Sequence, residues 1–177
     1  MKKLLAFSGS ASEDSINHEL VEYAASEINN AEIKVIRLSE FEAPYYKKEV
    51  EASSGIPEKI KALRALFDEA DGFILSTPEY NSSIPAGLKN TLDWISRMEG
   101  KIFQDKPVLL MATSPGGRGG QSVLGHLSGV MPFWGAKVIG PFSLPRFHDN
   151  FKGGKIVDPK LDDQLKGLVK ELESALS

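Results

Sequence analysis

Short apolar runs alternate with amphipathic segments along this chain, and that alternation limits the folds it can adopt. Five runs have the length of buried strands: residues 3–8, 33–38, 72–77, 108–112 and 136–139. Apolar residues recur at helical spacing in the segments that begin near Ser15, Pro57, Pro85, Gln121 and Leu161. Strands that alternate with helices pair in parallel through right-handed crossovers, so the pattern predicts an α/β fold.

The number of strands narrows the choice of sheet. A dinucleotide-type sheet and a flavodoxin-like sheet of order 2-1-3-4-5 both fit the alternation, and five strands favour the second. We therefore expect a three-layer sandwich with a parallel sheet in the middle. The chain has 177 residues, which predicts a single domain over residues 1–177. Residues 41–56 and 140–160 show no regular period and are predicted to be long loops.

The composition removes several classes of function. The chain contains no cysteine, which excludes disulfides, thiolate metal sites and cysteine nucleophiles. Its three histidines, His18, His126 and His148, lie far apart in the sequence, so no metal site is predicted. The net charge of −3 gives no sign of a nucleic acid partner, and no apolar stretch is long enough to span a bilayer. We expect a cytoplasmic protein with no membrane partner.

The loop after the first predicted strand has the character of an anion site. It reads GSASEDSIN over residues 9–17 and leads directly into a helix. Its backbone N–H groups and the helix dipole favour an anion, and Ser10, Ser12, Ser15 and Asn17 add side-chain donors. The glycine patterns of pyrophosphate-binding loops are absent, which suits a phosphate monoester better. The alternative is that the serines and acidic residues only cap the helix.

The loop after the third strand has the groups that a flat heteroaromatic ring requires. Pro78, Glu79, Tyr80 and Asn81 offer backbone hydrogen-bonding groups, an aromatic face and an amide. The alternative is a proline-stabilised turn that carries a surface tyrosine. Because the carboxyl ends of parallel strands share one edge of the sheet, this loop and the first are predicted to face one ligand.

The loop after the fourth strand is rich in glycine. It reads SPGGRGG over residues 114–120. Such a loop lets the backbone approach a ligand closely and present its N–H groups. A flexible connection is the alternative, but the position at the same sheet edge favours a functional loop.

The three loops together resemble those of the NADPH-dependent FMN reductase family. The motifs are GSASEDSIN, TPEYNSSIPAGLKNTLDW from Thr77 to Trp94, and SPGGRGG, and the resemblance extends from about Lys3 to Phe142. It implies a flavodoxin-like fold. It also implies that the FMN phosphate is held by Ser10, Ser15, Ile16 and Asn17. The isoalloxazine ring would be lined, mostly through backbone, by Pro78, Glu79, Tyr80 and Asn81. The other edge of the ring would be closed by Ser114, Gly116, Gly117 and Gly119.

The resemblance also implies a reaction. NADPH or NADH would reduce bound FMN, which would pass electrons to a quinone, azo compound, metal oxyanion or free flavin. Because the cofactor carries the chemistry, no catalytic side chain is expected. Family members are usually dimers or tetramers, so a homodimer or homotetramer is expected. An FMN-binding electron carrier or redox sensor without a dedicated substrate is the alternative, and a phosphate-ligand module that binds no flavin is a third possibility.

One position departs from the family pattern. Members commonly have arginine where this chain has Ser12, and arginine there would direct a fork of donors and a full charge toward phosphate. Arg118 in the third loop is a candidate source of replacement charge.

Overall fold

A computed structural model describes residues 1–176, and its centre is a parallel sheet of five strands. The strands are β1 Lys2–Ser8, β2 Ala31–Arg37, β3 Gly72–Ser76, β4 Lys106–Thr113 and β5 Ala136–Leu144. They lie in the order β2-β1-β3-β4-β5, with parallel pairing throughout. The predicted α/β fold and the flavodoxin-like strand order are therefore confirmed.

Helices cover both faces of the sheet. They are α1 Ile16–Ser26, α2 Lys48–Ser54, α3 Glu58–Glu69, α4 Ala86–Ile95, α5 Gln121–Val130, α6 Phe147–Asn150 and α7 Pro159–Ala175, with 3-10 turns at Leu38–Phe41 and Met131–Trp134. Successive side chains of a strand point to opposite faces, so Leu5 and Phe7 of β1 pack in the core with α3, α4 and α5. Leu4 and Ala6 pack in the second core with α1 and α7. The result is the three-layer sandwich that the alternation predicts.

The prediction of one long loop over residues 41–56 is wrong, because α2 occupies its second half. This helix has no buried residue, so it has no apolar stripe from which it could be recognised in the sequence. Contacts around it hold it in place instead. The Tyr46 hydroxyl donates to Glu51 Oε2 at 2.8 Å, and the Tyr46 ring meets the Trp94 ring edge-on at 5.0 Å between centroids.

The prediction of a loop over residues 140–160 is also wrong. Strand β5 continues to Leu144 because a bulge absorbs Gly140 and Pro141: the register pairs Leu109 with Ile139 and then Met111 with Phe142. After α6, the strands β6 Phe151–Lys152 and β7 Lys155–Ile156 form a small antiparallel hairpin. Its turn is Gly153-Gly154, both at positive φ, which is a common two-residue hairpin connection.

The sheet order decides which loops meet. Strands β1, β3 and β4 lie side by side in the middle of the sheet, and Ser8 of β1 is level with Ser76 of β3, which is level with Met111 of β4. The polar loops that follow these strands therefore emerge next to one another.

Candidate functional site

A cleft lies at the carboxyl edge of the sheet, between the loops that follow β1, β3 and β4. The residues that line it are Ser10, Ser12, Asp14, Ser15, Ile16, Asn17, Pro78, Glu79, Tyr80, Thr113, Ser114 and Pro115. Every loop that the sequence singled out contributes to this one cavity. We call it the carboxyl-edge cleft.

The first loop ends at the N-terminus of α1, where backbone donors are free. Ser15 is the N-cap, and its Oγ accepts from the backbone N–H of His18 at 3.2 Å. Within residues 1–176, the backbone N–H groups of Ile16 and Asn17 have no hydrogen-bond partner. Unpaired donors and the positive end of the helix dipole together favour an anion at this point.

The Asn17 side chain is occupied in holding the cleft together. It is 2% exposed. Its Oδ1 accepts from Ser76 Oγ at 2.7 Å and from the Thr113 backbone N–H at 3.0 Å, and its Nδ2 donates to the Thr113 carbonyl at 3.2 Å. One amide thus ties α1 to the ends of β3 and β4. The backbone N–H of Asn17 is therefore left for a ligand, and of the side chain only the second Nδ2 hydrogen has no partner among the described residues.

The second loop is a tight two-residue turn with an aromatic ring beside it. Tyr80 and Ser83 exchange backbone hydrogen bonds at 3.1 and 3.0 Å, and Asn81 and Ser82 between them both have positive φ. These angles define a type I′ turn. The Tyr80 side chain stays 49% exposed at the rim of the cleft, so its ring is available to stack on a ligand.

Glu79 connects the second loop to the helix after the third. Its Oε2 accepts from the backbone N–H groups of Ser122 and Val123 at 2.8 and 3.0 Å. These are first-turn donors of α5, whose own N-cap, Gly120, has no side chain to satisfy them. The carboxylate is therefore a helix cap supplied from another loop, and it fixes one wall of the cleft relative to another.

The third loop is anchored to the chain that follows β5. The carbonyls of Gly116 and Ser114 accept from the backbone N–H groups of Arg146 and Phe147 at 2.9 and 3.1 Å. Because a trans peptide points its C=O and N–H in opposite directions, the N–H of Gly117 points away from that anchor. Gly119 is buried with φ +56°, and a Cβ on it would meet the Pro145 backbone N at 2.8 Å. Gly119 therefore supports the loop from behind.

The predicted site residues divide into two groups. The carboxyl-edge cleft brings together Ser10, Ser15, Ile16, Asn17, Pro78, Glu79, Tyr80 and Ser114. It is not lined by Asn81, Gly116, Gly117 or Gly119. Ser12, which the sequence offers as a donor of the first loop, lines it as well. Asp14, Thr113 and Pro115 also line it and were not predicted. Thr113 was detectable, since it ends β4 as Ser76 ends β3.

Arg118, the candidate source of replacement charge, bonds a helix side chain and does not face the cleft lining. Its Nη2 donates to Ser122 Oγ at 2.6 Å, and it does not line the carboxyl-edge cleft. Another arginine lies behind the first loop: Arg37, at the end of β2, donates from Nη1 to the Glu13 carbonyl at 3.0 Å.

His18 is a buried histidine close to the same loop. It is 5% exposed, and its Nδ1 has no hydrogen-bond partner among the described residues. Burial lowers the pKa of His18 below its usual 6.5, the charge of Arg37 lowers it further, and Glu22 opposes the shift. At neutral pH the imidazole is uncharged, so it adds no positive charge to the cleft.

The fold and the cleft define a class of protein. A doubly wound sheet of order 2-1-3-4-5 carries a cleft with free helix-terminal donors on one side and an exposed aromatic ring on another, which is how flavodoxin-like proteins receive a phosphate-bearing planar ligand. No helix within residues 1–176 is long and apolar enough to cross a membrane. The family model described as NADPH-dependent FMN reductase matches residues 2–149. The chain belongs to that family.

Individual relatives agree with the family match. The quinone reductase of Escherichia coli K12 is 36% identical over 121 residues, which are 68% of this chain and 60% of that protein. The chain thus aligns with less than two thirds of that relative. The probable NADPH:quinone oxidoreductase 2 of rice, Oryza sativa subsp. japonica, is 31% identical over 97% of this chain and 87% of its own length.

A solved structure extends the likeness to the whole fold. The flavoenzyme NAD(P)H:(acceptor) oxidoreductase FerB from Paracoccus denitrificans superimposes with a TM-score of 0.83 at 26% identity. The match covers 99% of this chain and 97% of that one.

Proposed function

We propose that the protein is an FMN-dependent NAD(P)H oxidoreductase that passes electrons from NADPH or NADH to a quinone-class acceptor, with residues 1–177 acting as one FMN-binding domain. The observation that carries the proposal is the convergence of three loops on the carboxyl-edge cleft, which is lined by the start of α1 with its free backbone donors and by an exposed tyrosine. Membership of the NADPH-dependent FMN reductase family supports it.

The start of α1 fits the FMN phosphate. The backbone N–H groups of Ile16 and Asn17 would donate to it, with the helix dipole behind them. Ser10 and Ser15 line the cleft at the same point. The Ser15 and Asn17 side-chain oxygens already accept hydrogen bonds from the protein. Besides their backbone, these two residues would offer the phosphate the Ser15 hydroxyl hydrogen and the second Nδ2 hydrogen of Asn17.

The other two loops fit the ring. Pro78, Glu79 and Tyr80 would line one side, with the Tyr80 ring as the stacking surface and backbone groups at the edge. Asn81, which follows in the turn and does not line the cleft itself, would extend that side. Ser114, Gly116 and Gly117 would supply groups at the other side, while Gly119 keeps that loop in place from behind.

The chemistry divides simply between cofactor and protein. Bound FMN supplies the two-electron chemistry that links a reduced nicotinamide to the acceptor. The protein binds and orients the flavin, and backbone N–H groups of the third loop would stabilise negative charge on the ring. No acid or base side chain is required for these tasks, so we assign no catalytic residue.

A quinone is the favoured acceptor class. The E. coli and rice relatives and a Burkholderia 2-hydroxy-1,4-benzoquinone reductase, 34% identical over 74% of this chain, are all named for quinones. The other candidate acceptors are azo compounds, metal oxyanions and free flavin. Steady-state kcat/KM values, measured for each acceptor and for a quinone with the same nicotinamide donor, rank them.

Assembly and location complete the proposal. We propose a homodimer or homotetramer in the cytoplasm, where reduced nicotinamide is supplied by metabolism. An open cleft with a half-exposed tyrosine at its rim is a surface that a second copy can cover. Light scattering of the purified protein measures the assembly.

Retention of the flavin tests the binding part. The purified protein should be yellow, and denaturation should release FMN. Tyr80→Ala should weaken binding of both FMN and riboflavin, because both have the ring. Phe133→Ala is the matched control, since Phe133 is an aromatic residue that is 84% exposed and lies outside the carboxyl-edge cleft. A wild-type protein that releases no FMN and does not retain added FMN contradicts the proposal.

A further inference from the structure

The carboxyl-edge cleft has an imbalance of charge where a phosphate would bind. Its first loop carries Glu13 and Asp14, and Asp14 lines the cleft. No lysine or arginine is among the residues that line it. Two acidic side chains and no cation oppose a dianion, so helix-terminal donors alone would have to overcome that repulsion.

Arg37 lies behind this loop and holds part of its backbone. Its Nη1 donates to the Glu13 carbonyl at 3.0 Å. The peptide between Glu13 and Asp14 is trans, so its N–H points opposite to its carbonyl. With the carbonyl directed at Arg37, the Asp14 N–H is directed away from Arg37, and Asp14 is one of the residues that line the cleft. Arg37 thus orients a backbone donor that precedes the free donors of Ile16 and Asn17.

The charge of Arg37 also reaches the first turn of α1. His18 is the residue whose backbone N–H the Ser15 cap accepts, and the Arg37 charge is the second cause, after burial, of its lowered pKa. Glu22 and Glu40 act on His18 with the opposite sign. Since the lowered pKa leaves His18 uncharged at pH 7, Arg37 is a source of positive potential at this turn.

We propose that Arg37 is a positioning and charge-compensating residue for the terminal phosphate of the bound flavin, supplied from β2 in place of the cation that the loop itself lacks. The inference rests on the proposed function, because it presumes that the anion at the start of α1 is the FMN phosphate. It predicts that Arg37 distinguishes FMN from riboflavin, which has the same ring and no phosphate.

The test compares dissociation constants for FMN and riboflavin by quenching of flavin fluorescence, at low and high salt. Arg37→Gln should raise the Kd for FMN about tenfold, the loss of one charge-assisted interaction, and leave that for riboflavin within about twofold. Arg37→Lys keeps the positive charge but lacks the planar guanidinium fork. Its Kd for FMN should therefore lie between those of the wild type and Arg37→Gln. Lys34→Gln is the control, since it removes one positive charge from the same strand and touches no cleft residue.

The outcomes separate the two proposals. The wild-type preference for FMN should shrink at high salt, because salt screens charge interactions at an exposed site, and Arg37→Gln should lose most of that salt dependence. An Arg37→Gln protein that binds FMN like the wild type, or that loses FMN and riboflavin equally, overturns the role of Arg37 while leaving flavin binding intact. A wild-type protein that binds neither flavin overturns the proposed function itself. Thermal unfolding of each flavin-free variant confirms that it is folded.

Discussion

Asn17 shows how one side chain can be structural inside a ligand site. The sequence places it in a predicted anion-binding loop, and in the structure it lines the carboxyl-edge cleft. Its amide, however, bonds residues 59 and 96 positions away, Ser76 and Thr113. Partners so distant in the chain cannot be read from the loop, because they are brought close only by the order of the strands. The sequence shows that an asparagine is present, whereas the hydrogen-bond partners of its side chain depend on the fold.

Asn17→Ala should therefore destabilise the flavin-free protein. The substitution leaves buried groups of Ser76 and Thr113 unpaired, and the expected loss in free energy of unfolding is about 2–4 kcal/mol. Denaturant unfolding measures it. Ser12→Ala, on the same loop but exposed, is the control and should change little. An Asn17→Ala protein as stable as that control would show that the network contributes nothing.

His18 should make stability depend on pH. Its folded pKa lies below its ordinary value of 6.5, so below that pH the unfolded chain binds a proton more readily than the folded one. The stabilisation is complete above pH 6.5 and is lost as the pH falls through the lowered folded pKa. His18→Gln should remove this component from the pH profile of the free energy of unfolding, and His148→Gln, an exposed control, should not. Identical profiles for wild type and His18→Gln would refute the assignment.

At the scale of elements, the glycine loop combines two kinds of glycine. Gly119 has positive φ and faces the Pro145 backbone, whereas a Cβ on Gly116 would meet nothing within 4 Å. Gly119→Ala should cost about 2 kcal/mol or more of unfolding free energy, from the strained φ and the clash with backbone. Gly116→Ala should be close to neutral. The midpoints of denaturant unfolding of the two flavin-free variants are compared. Equal midpoints would contradict the prediction, because they would mean that the loop accommodates a Cβ at Gly119 without loss of stability.

Helices and strands were predictable from the sequence where apolar residues recur at regular spacing or where polar residues end an apolar run. The strands and long helices follow from apolar spacing, and Ser76 and Thr113 mark the edge where the loops emerge. Helix α2 was missed because it has no fully buried residue and only Val50 packs partly against the core, so tertiary contacts such as that between Tyr46 and Glu51 are what reveal it. The extension of β5 was missed because Gly140 and Pro141 read as a break, while the pairing with β4 tolerates them as a bulge.

At the scale of the whole molecule, the parallel sheet explains how separate motifs become one site. Strand order 2-1-3-4-5 puts β1, β3 and β4 next to each other. The first, second and third loops, which follow these strands, therefore share the carboxyl-edge cleft. The position of this cleft was predictable from strand ends alone. The roles of its individual residues were not predictable, because Glu79 caps α5 and Arg37 bonds the first loop only in the folded protein.

The most direct test is anaerobic reduction of the FMN-loaded protein. NADPH and NADH are mixed separately with it, and the visible absorption of the flavin is followed, before a benzoquinone is added without oxygen. At least one nicotinamide should bleach the flavin rapidly, and the quinone should restore its colour. Flavin that stays bound and oxidised with both donors would contradict an oxidoreductase and indicate a protein that only carries FMN.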